Sequence, residues 1–562
     1  MQCSLSTPRT GGQILIDQLV LHGVKHLFCV PGESYLAALD ALHDAPIEVT
    51  VCRQEGGAAM MAEAHGKLSG RPGICFVTRG PGATNAAAGV HIAQQDSTPM
   101  ILFVGQVERK TRGRDAFQEV DYRATFGHLA KWATEIDDPS RIPEIVLRAF
   151  HVATSGRPGP VVIALPEDML AETAIALDPQ PFTPVETLIG EANVATLDAH
   201  LRAAERPVAI LGGSGWDAEA VSNFVRFSER YGLPVAVSYR RQMLFPATHP
   251  NFIGDLSFGA NPKLVARIEE ADLVLLIGTR LSEAASQGYT LLRIPTPAQN
   301  VIHVHPDTNE LGRVYQPTLS INASPRSFAA AVARLATPEQ PLWASSTQLA
   351  RTNYEGWSDL SRIQSPGELQ MARIIEFLQK RLPADAVICN GAGNYSIWVH
   401  RFYRFSEFGT QLAPTCGSMG YGVPAAVAAK RVHSNRTVVS FAGDGCFLMH
   451  GQEFATAVQY ELPIIFIVVD NSMYGTIRMH QEKNYPGRVV ATTLRNPDFA
   501  AYAQAFGGYG ERIETTEEFE GAWDRAYASG KPAILHCLID PEAITPFATL
   551  SSFREAALGA SK

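Results

Sequence analysis

Apolar residues in this chain gather in short uninterrupted runs, and the segments between them repeat with a helical period. The clearest case lies between Thr437 and Arg478. Thr437-Val-Val-Ser-Phe-Ala442 and Pro463-Ile-Ile-Phe-Ile-Val-Val469 flank a helical run from Gln452 to Tyr460. Runs that are β-branched and unbroken by polar positions suit strands buried on both faces of a parallel sheet. With the helix between them they predict one βαβ unit. Gly443-Asp444-Gly445 and Asp470-Asn471 then stand at the carboxyl ends of neighbouring strands, the edge where open α/β sheets bind ligands.

The same pattern runs through the rest of the chain. Thr10 can cap a helix carrying Ile14, Leu15, Leu19 and Val20 that ends at Gly23. Strands are predicted over His26–Val30, Ile47–Cys52, Ile74–Thr78 and Pro99–Gly105. Pro31-Gly32 turns into a helix capped by Ser34, Glu55 begins another, and Gly80–Asn85 opens a third. Gly156–Val161, leading into Ile163–Pro166, closes this part. Pro179, Pro181 and Pro184 mark a linker. Further strands follow at Pro207–Leu211, Asp272–Gly278 and Asn300–His305, the first running into Gly212-Gly213-Ser214-Gly215, alone a weak dinucleotide signal. Residues 336–365, rich in Ser, Thr and Pro, predict a second connection. Beyond Pro366 come a helix near Gln370–Leu378, a strand Ala386–Cys389 and the loop Asn390-Gly391-Ala392-Gly393-Asn394. The fold class is therefore α/β, with three doubly wound parallel-sheet domains at 10–175, 192–336 and 366–545.

Length agrees, since 562 residues exceed what one core organises. A net charge of −9 leaves no basic excess for nucleic acid. No apolar run reaches the roughly 20 residues of a membrane span, and Met1–Arg9 lacks the apolar core of a signal peptide. Eight cysteines lie singly at positions 3, 29, 52, 75, 389, 416, 446 and 537, which suits reduced thiols in a cytoplasmic protein.

The strand-end residues carry the candidate chemistry. A carboxylate and an amide oxygen, aimed from neighbouring strands, supply part of the oxygen shell Mg²⁺ demands; phosphate and water complete it. Gly443 and Gly445 let a bulky anion approach the backbone, although Asp-Gly is also common in plain strand-end turns. The small residues of 390–394 can cradle a diphosphate through backbone N–H groups. Glu55 alone says little, because most first-turn acids only complement the helix dipole.

Gly443-Asp444-Gly445, Asp470-Asn471 and Ser472-Met473-Tyr474-Gly475 together resemble the motif of thiamine diphosphate enzymes that holds the diphosphate through a divalent metal. Arg53–Ala59, Gly80–Asn85, Asp96–Met100, Gly105–Val107 and Asp115–Asp121 resemble, in order and spacing, the pyrimidine-binding domain of acetolactate synthase. Cys416–Pro424 resembles a further family segment. The resemblance implies a pyrimidine-binding, a central and a diphosphate-binding domain. It implies cofactor contacts at Pro31, Gly32, Glu55, Gly391, Gly393, Asn394, Gly417, Met419, Gly443, Asp444, Gly445, Asn471, Met473, Tyr474 and Gly475. Asp444, Asn471 and the Met473 carbonyl are the implied metal ligands. Glu55 would contact the pyrimidine N1′, where a raised carboxyl pKa would suit proton sharing. Met419 would bend the cofactor, the Gly417 carbonyl would meet its amino group, and Gln118 would lie near its reactive carbon. The implied partners are a small 2-oxo acid, an aldehyde or 2-oxo acid acceptor, and further copies of the chain, in a homodimer or homotetramer with active sites between chains.

The implied activity is decarboxylation of a 2-oxo acid with carboligation of the product to a second carbonyl. Simple decarboxylation, 2-hydroxyacyl lysis and a catalytically silent scaffold are the alternatives. No His-His pair of the pyruvate decarboxylase kind occurs, and Glu55 argues against glyoxylate carboligase. His480 stands where the family selects its second substrate with Trp; with Arg478 it is expected to read the acceptor. Arg157 matches an FAD-contacting Arg, but Leu256–Asn261 and Ser282-Glu283 depart from the family pattern and weigh against FAD.

Overall fold

The computed structural model describes residues 7–340 and 343–560. Its strands, in chain order, begin with β1 (Arg9–Thr10), β2 (His26–Cys29), β3 (Glu48–Val51), β4 (Gly73–Val77) and β5 (Met100–Gln106). β6 (Trp132–Glu135), β7 (Pro160–Pro166) and β8 (Thr173–Ala174) follow. β9 (Pro207–Leu211), β10 (Val235–Ser238), β11 (Phe252–Leu256), β12 (Leu273–Ile277), β13 (Asn300–Val304) and β14 (Leu319–Ile321) come next. The last group is β15 (Val387–Asn390), β16 (Gln411–Leu412), β17 (Val438–Gly443), β18 (Ile464–Asp470), β19 (Tyr509–Ile513) and β20 (Ala533–Leu538).

These strands form three six-stranded sheets, ordered β3-β2-β4-β5-β7-β6, β11-β10-β9-β12-β13-β14 and β16-β15-β17-β18-β20-β19. Every pairing inside them is parallel; β1 and β8 make a separate antiparallel ribbon. The α/β class read from the apolar runs is the observed one. All of β18 is buried, because helices cover both sheet faces. The winding direction reverses between β2 and β4, between β9 and β12, and between β15 and β17. Each reversal opens a crevice at the strands' carboxyl ends.

The chain forms two compact units. One holds the chain through Val185 together with Val427–Val432 and Gln452–Tyr460; the other holds Glu186–Ala426, His433–Gly451 and the chain from Glu461 on.

Three sequence expectations need correcting. Ser34 caps no helix: it lies in a 3-10 turn, and its hydroxyl bonds Thr78 Oγ1 at 2.9 Å. Residues 336–365 are not merely a connection, for Ala344–Trp357 is a 14-residue helix. The helical run before Tyr460 starts earlier, at Asp444, and a 3-10 turn at Gly451–Glu453 divides it. None of the seven described cysteines forms a disulfide; Cys3 lies outside the described residues.

Candidate functional site

At the carboxyl ends of the third sheet lies a cavity of about 230 Å³. Three helices begin on it: Tyr395–Phe402, Asp444–His450 and Gly475–Asn484. Their N-cap residues Asn394, Gly443 and Tyr474 give no side-chain cap to the first N–H groups. Helix starts left uncapped around one space present convergent donors and positive dipole ends, which favours an anion. The glycines keep that space open. A Cβ on Gly445 would lie 2.5 Å from Tyr474 Cε1, and one on Gly475 would lie 2.7 Å from Ile544 Cδ1.

Gly393, Asn394, Gly417, Met419, Gly443, Asp444, Gly445, Asn471, Met473, Tyr474 and Gly475 all line this cavity. Gly391 does not; it packs behind the wall, where a Cβ would meet Cys446 Sγ at 2.6 Å. Asn394 Oδ1 accepts from Thr476 Oγ1 at 2.8 Å, which ties the starts of two of the helices together.

Asp444 is 3% exposed. Its Oδ2 accepts from Asn496 Nδ2 at 2.7 Å and from the Met473 N–H at 3.2 Å. The same Asn496 amide reaches Asp470 Oδ1 at 2.9 Å. Asp470 Oδ2 lies 3.0 Å from His536 Nε2, and Oδ1 accepts the Ser472 N–H at 2.8 Å. Burial pushes the Asp444 carboxyl up to about 6, helped by the charge of Asp470 and opposed by Asn496 and the Gly445 N–H. Burial acts on Asp470 too, but His536 and the Ser472 N–H outweigh it and hold that carboxyl low. A buried carboxylate penalised for its charge is what a divalent cation would relieve.

Among the described residues no group of three or more His, Cys, Asp and Glu is gathered to hold a metal alone. A cation here would need the Asn471 amide, a backbone carbonyl and ligand phosphates beside Asp444. Asn471 is half-buried on the cavity wall, and among the described residues its side chain makes no hydrogen bond. The donor set fits an oxygen-ligated Mg²⁺ carried by a diphosphate.

The other compact unit gathers a second group of candidates. Glu55 opens the helix Glu55–Ser69, and its Oε2 accepts from Asn85 Nδ2 at 3.0 Å. Gly82 approaches it so closely that a Cβ would lie 3.3 Å from Glu55 Oε1. Gly32 packs on Thr78, and Gly80 on Gln118, where a Cβ would come within 2.8 Å of Gln118 Cβ. Gln118 sits half-buried with φ +64°. Pro31 is exposed at the end of β2. Behind Glu55, the fully buried Glu453 accepts the N–H groups of Arg53 and Gln54, each at 3.0 Å, and the Thr456 hydroxyl at 2.6 Å. These bonds fix the turn that aims the helix start.

One expectation about cations changes. Arg478 is not on the lining of the Asp444 cavity: Nε donates to Thr492 Oγ1 at 2.7 Å and Nη2 to Thr493 Oγ1 at 2.9 Å. It pins the 490s loop beside Met473 instead, next to the Met473–Thr493 bridge. His480 is exposed and lines a second cavity of about 470 Å³, which shares Ala392, Gly393, Asn394, Gly417 and Thr476 with the first. Arg157 is engaged by Ser97 Oγ at 2.9 Å and the Gln94 carbonyl at 2.5 Å. Asn496, His536 and Glu453 escaped the sequence reading, because no local pattern ties them to Asp444 or Glu55.

Comparison with known proteins adds a second, independent line. Residues 9–125, 194–332 and 391–537 match the families described as thiamine pyrophosphate enzyme N-terminal TPP binding, central and C-terminal TPP binding domains. The chain is 31% identical to the acetolactate synthase isozyme 2 large subunit of Escherichia coli (strain K12), over 94% of this chain and 95% of that protein. It is likewise 31% identical to the acetolactate synthase large subunit of Parasynechococcus marenigrum, over 94% and 88%. To the probable acetolactate synthase large subunit of Methanocaldococcus jannaschii it is 29% identical, over 95% and 93%.

Proposed function

Because the chain belongs to the thiamine pyrophosphate enzyme family of the acetolactate synthase large subunits, we propose that it decarboxylates a 2-oxo acid and ligates the product to a second carbonyl compound. The observation that carries this reading is the convergence of three uncapped helix starts and Asp444 on one cavity. Thiamine diphosphate, when bound, supplies the electron sink that lets a 2-oxo acid lose CO₂ and its acyl carbon join another carbonyl. The N–H groups following Asn394, Gly443 and Tyr474 would hold the diphosphate. Asp444, the Asn471 amide and the Met473 carbonyl would hold Mg²⁺. Met419 and Gly417, on the same wall, would shape and orient the rest of the cofactor. Glu55 would hold a proton at the pyrimidine N1′, with Asn85 fixing its carboxylate. Gln118 would place a polar group near the reacting carbon, and His480 would overlook the acceptor.

FAD has no part in this reading, because Leu256–Asn261 and Ser282-Glu283 depart from the family pattern. Among the described residues no helix is long and apolar enough to cross a membrane. Cysteines without disulfides, among the described residues, suit a reducing, cytoplasmic setting. The test is a panel of 2-oxo acids, with and without aldehyde acceptors, supplied with thiamine diphosphate and Mg²⁺ but no flavin. CO₂ and coupled product are expected together. Free aldehyde alone, whatever the acceptor, would replace carboligase by decarboxylase; a strict need for FAD would overturn the flavin-free reading.

In the family, the pyrimidine-binding part of one subunit serves the diphosphate-binding part of its partner, so the smallest active unit is expected to be a homodimer. Sedimentation with simultaneous assay checks this, and an active monomer refutes it.

A further inference from the structure

The second cavity is larger than a three-carbon acid requires, and its walls are aromatic. Its volume of about 470 Å³ falls in the range of roughly 300–1,000 Å³ that encloses drug-sized ligands. Phe258 and Phe547, both on its lining, remain 64% and 59% exposed. Large rings left open to water around a concave space signal a missing apolar ligand. Trp357, Tyr354 and Tyr239 continue the same lining.

Among these rings lie two guanidinium groups with unused donors. Arg401 stacks 3.6 Å over Trp357 and gives Nε and Nη2 to the Trp357 carbonyl at 3.0 and 2.9 Å. Its Nη1 is buried and has no partner. Arg240, 2% exposed, spends Nη1 on the Pro414 carbonyl at 2.6 Å, while its Nε is also buried without a partner. A buried, unmatched donor on a fixed cation is costly unless something fills it. The one carboxylate on the lining, Asp255, takes a bond from Gln242 at 3.2 Å and forms no ion pair with either arginine among the described residues. Burial lowers Arg401 to about 10 against the pull of Asp255, as expected of a cation still lacking its anion.

We propose that this cavity receives a 2-oxo acid with an aromatic body, whose carboxylate pairs with Arg401 and whose ring lies among Trp357, Phe258 and Phe547. The inference rests on the carboligase reading, because the cavity shares Gly393, Asn394, Gly417 and Thr476 with the cofactor cavity. A ligand seated here therefore has direct access to that space. His480, where relatives are expected to carry Trp, lines the same wall.

Phenylpyruvate is the probe, titrated into the protein loaded with thiamine diphosphate and Mg²⁺ and read by calorimetry. Saturation below about 1 mM is expected, the upper range of ordinary substrate affinities. Arg401→Gln is expected to weaken binding about tenfold or more, as befits a lost charge-assisted pair. Phe547→Ala, an exposed position that does not threaten folding, should weaken it several-fold. Thiamine diphosphate affinity should be unchanged in both variants. No saturation by phenylpyruvate, or wild-type binding in both variants, overturns the proposal. Turnover of pyruvate without phenylpyruvate binding leaves the carboligase reading standing and removes only this inference. Binding with the expected losses, but no CO₂ from any 2-oxo acid, upholds the ligand site and removes the carboligase reading.

Discussion

Asp444→Ala is expected to weaken Mg²⁺-dependent binding of thiamine diphosphate by roughly a hundred-fold or more, about 2.8 kcal/mol, while the chain stays folded. The first half follows from the donor set. Among the described residues Asp444 is the only carboxylate on the cavity lining, so its loss removes the one charged oxygen a cation could take there. The second half follows from its bonds. Asn496 keeps Asp470 as a partner, and the Met473 and Gly445 N–H groups lose an acceptor. Against that loss stands relief from burying a carboxylate whose charge the site disfavours. Fluorescence titration of the cofactor, with and without Mg²⁺, and a thermal melt measure the two halves separately. Wild-type affinity in the folded variant would remove Asp444 from the metal site.

The strands around that site were readable because both faces of β17 and β18 are covered, so nearly every residue in them had to be apolar or small. The helix Ala344–Trp357 shows the opposite case. Its buried residues Thr347, Ala350, Arg351 and Tyr354 do keep helical spacing. Thr347 and Arg351 are polar and Ala350 is small, so a count of apolar positions sees only a weak stripe. Arg351 is buried because Nη1 reaches the carbonyls of Ala247, His249 and Phe252 at 2.8, 2.9 and 3.2 Å, which replaces its water. Ser34 failed for a similar reason, since Thr78 competes for its hydroxyl.

The site divides along the same line. Asp444 and Asn471 each follow a legible strand, so their adjacency could be deduced from parallel pairing of β17 with β18. His536 meets Asp470 only through the register of β20 beside β18, and Asn496 arrives on a loop. Neither position has a local signature. Arg478 was misjudged because helical position fixes where a Cα lies, whereas the partner of a long side chain is decided by a loop fourteen residues further on.

Glu55→Gln is expected to lower the rate of CO₂ release by roughly a hundred- to a thousand-fold, within the range that general acid–base groups contribute. The substitution is nearly isosteric, and its surroundings tolerate it. Glu55 is half-buried, and its neighbour Asn85 can turn its amide to meet either side chain. The turn before it is held by Glu453 through the N–H groups of Arg53 and Gln54, bonds that do not involve the Glu55 side chain. Fold and helix start should therefore persist, and the melting temperature should stay close to wild type. What disappears is a carboxylate that can hold a proton at the pyrimidine N1′, since an amide cannot share one there. Steady-state rates at saturating thiamine diphosphate isolate this loss from any change in cofactor affinity. A variant within about threefold of wild type, against the general acid–base range, would remove Glu55 from the mechanism. The protein would then stand with the relatives that dispense with this carboxylate, and the pyrimidine proton would need another holder.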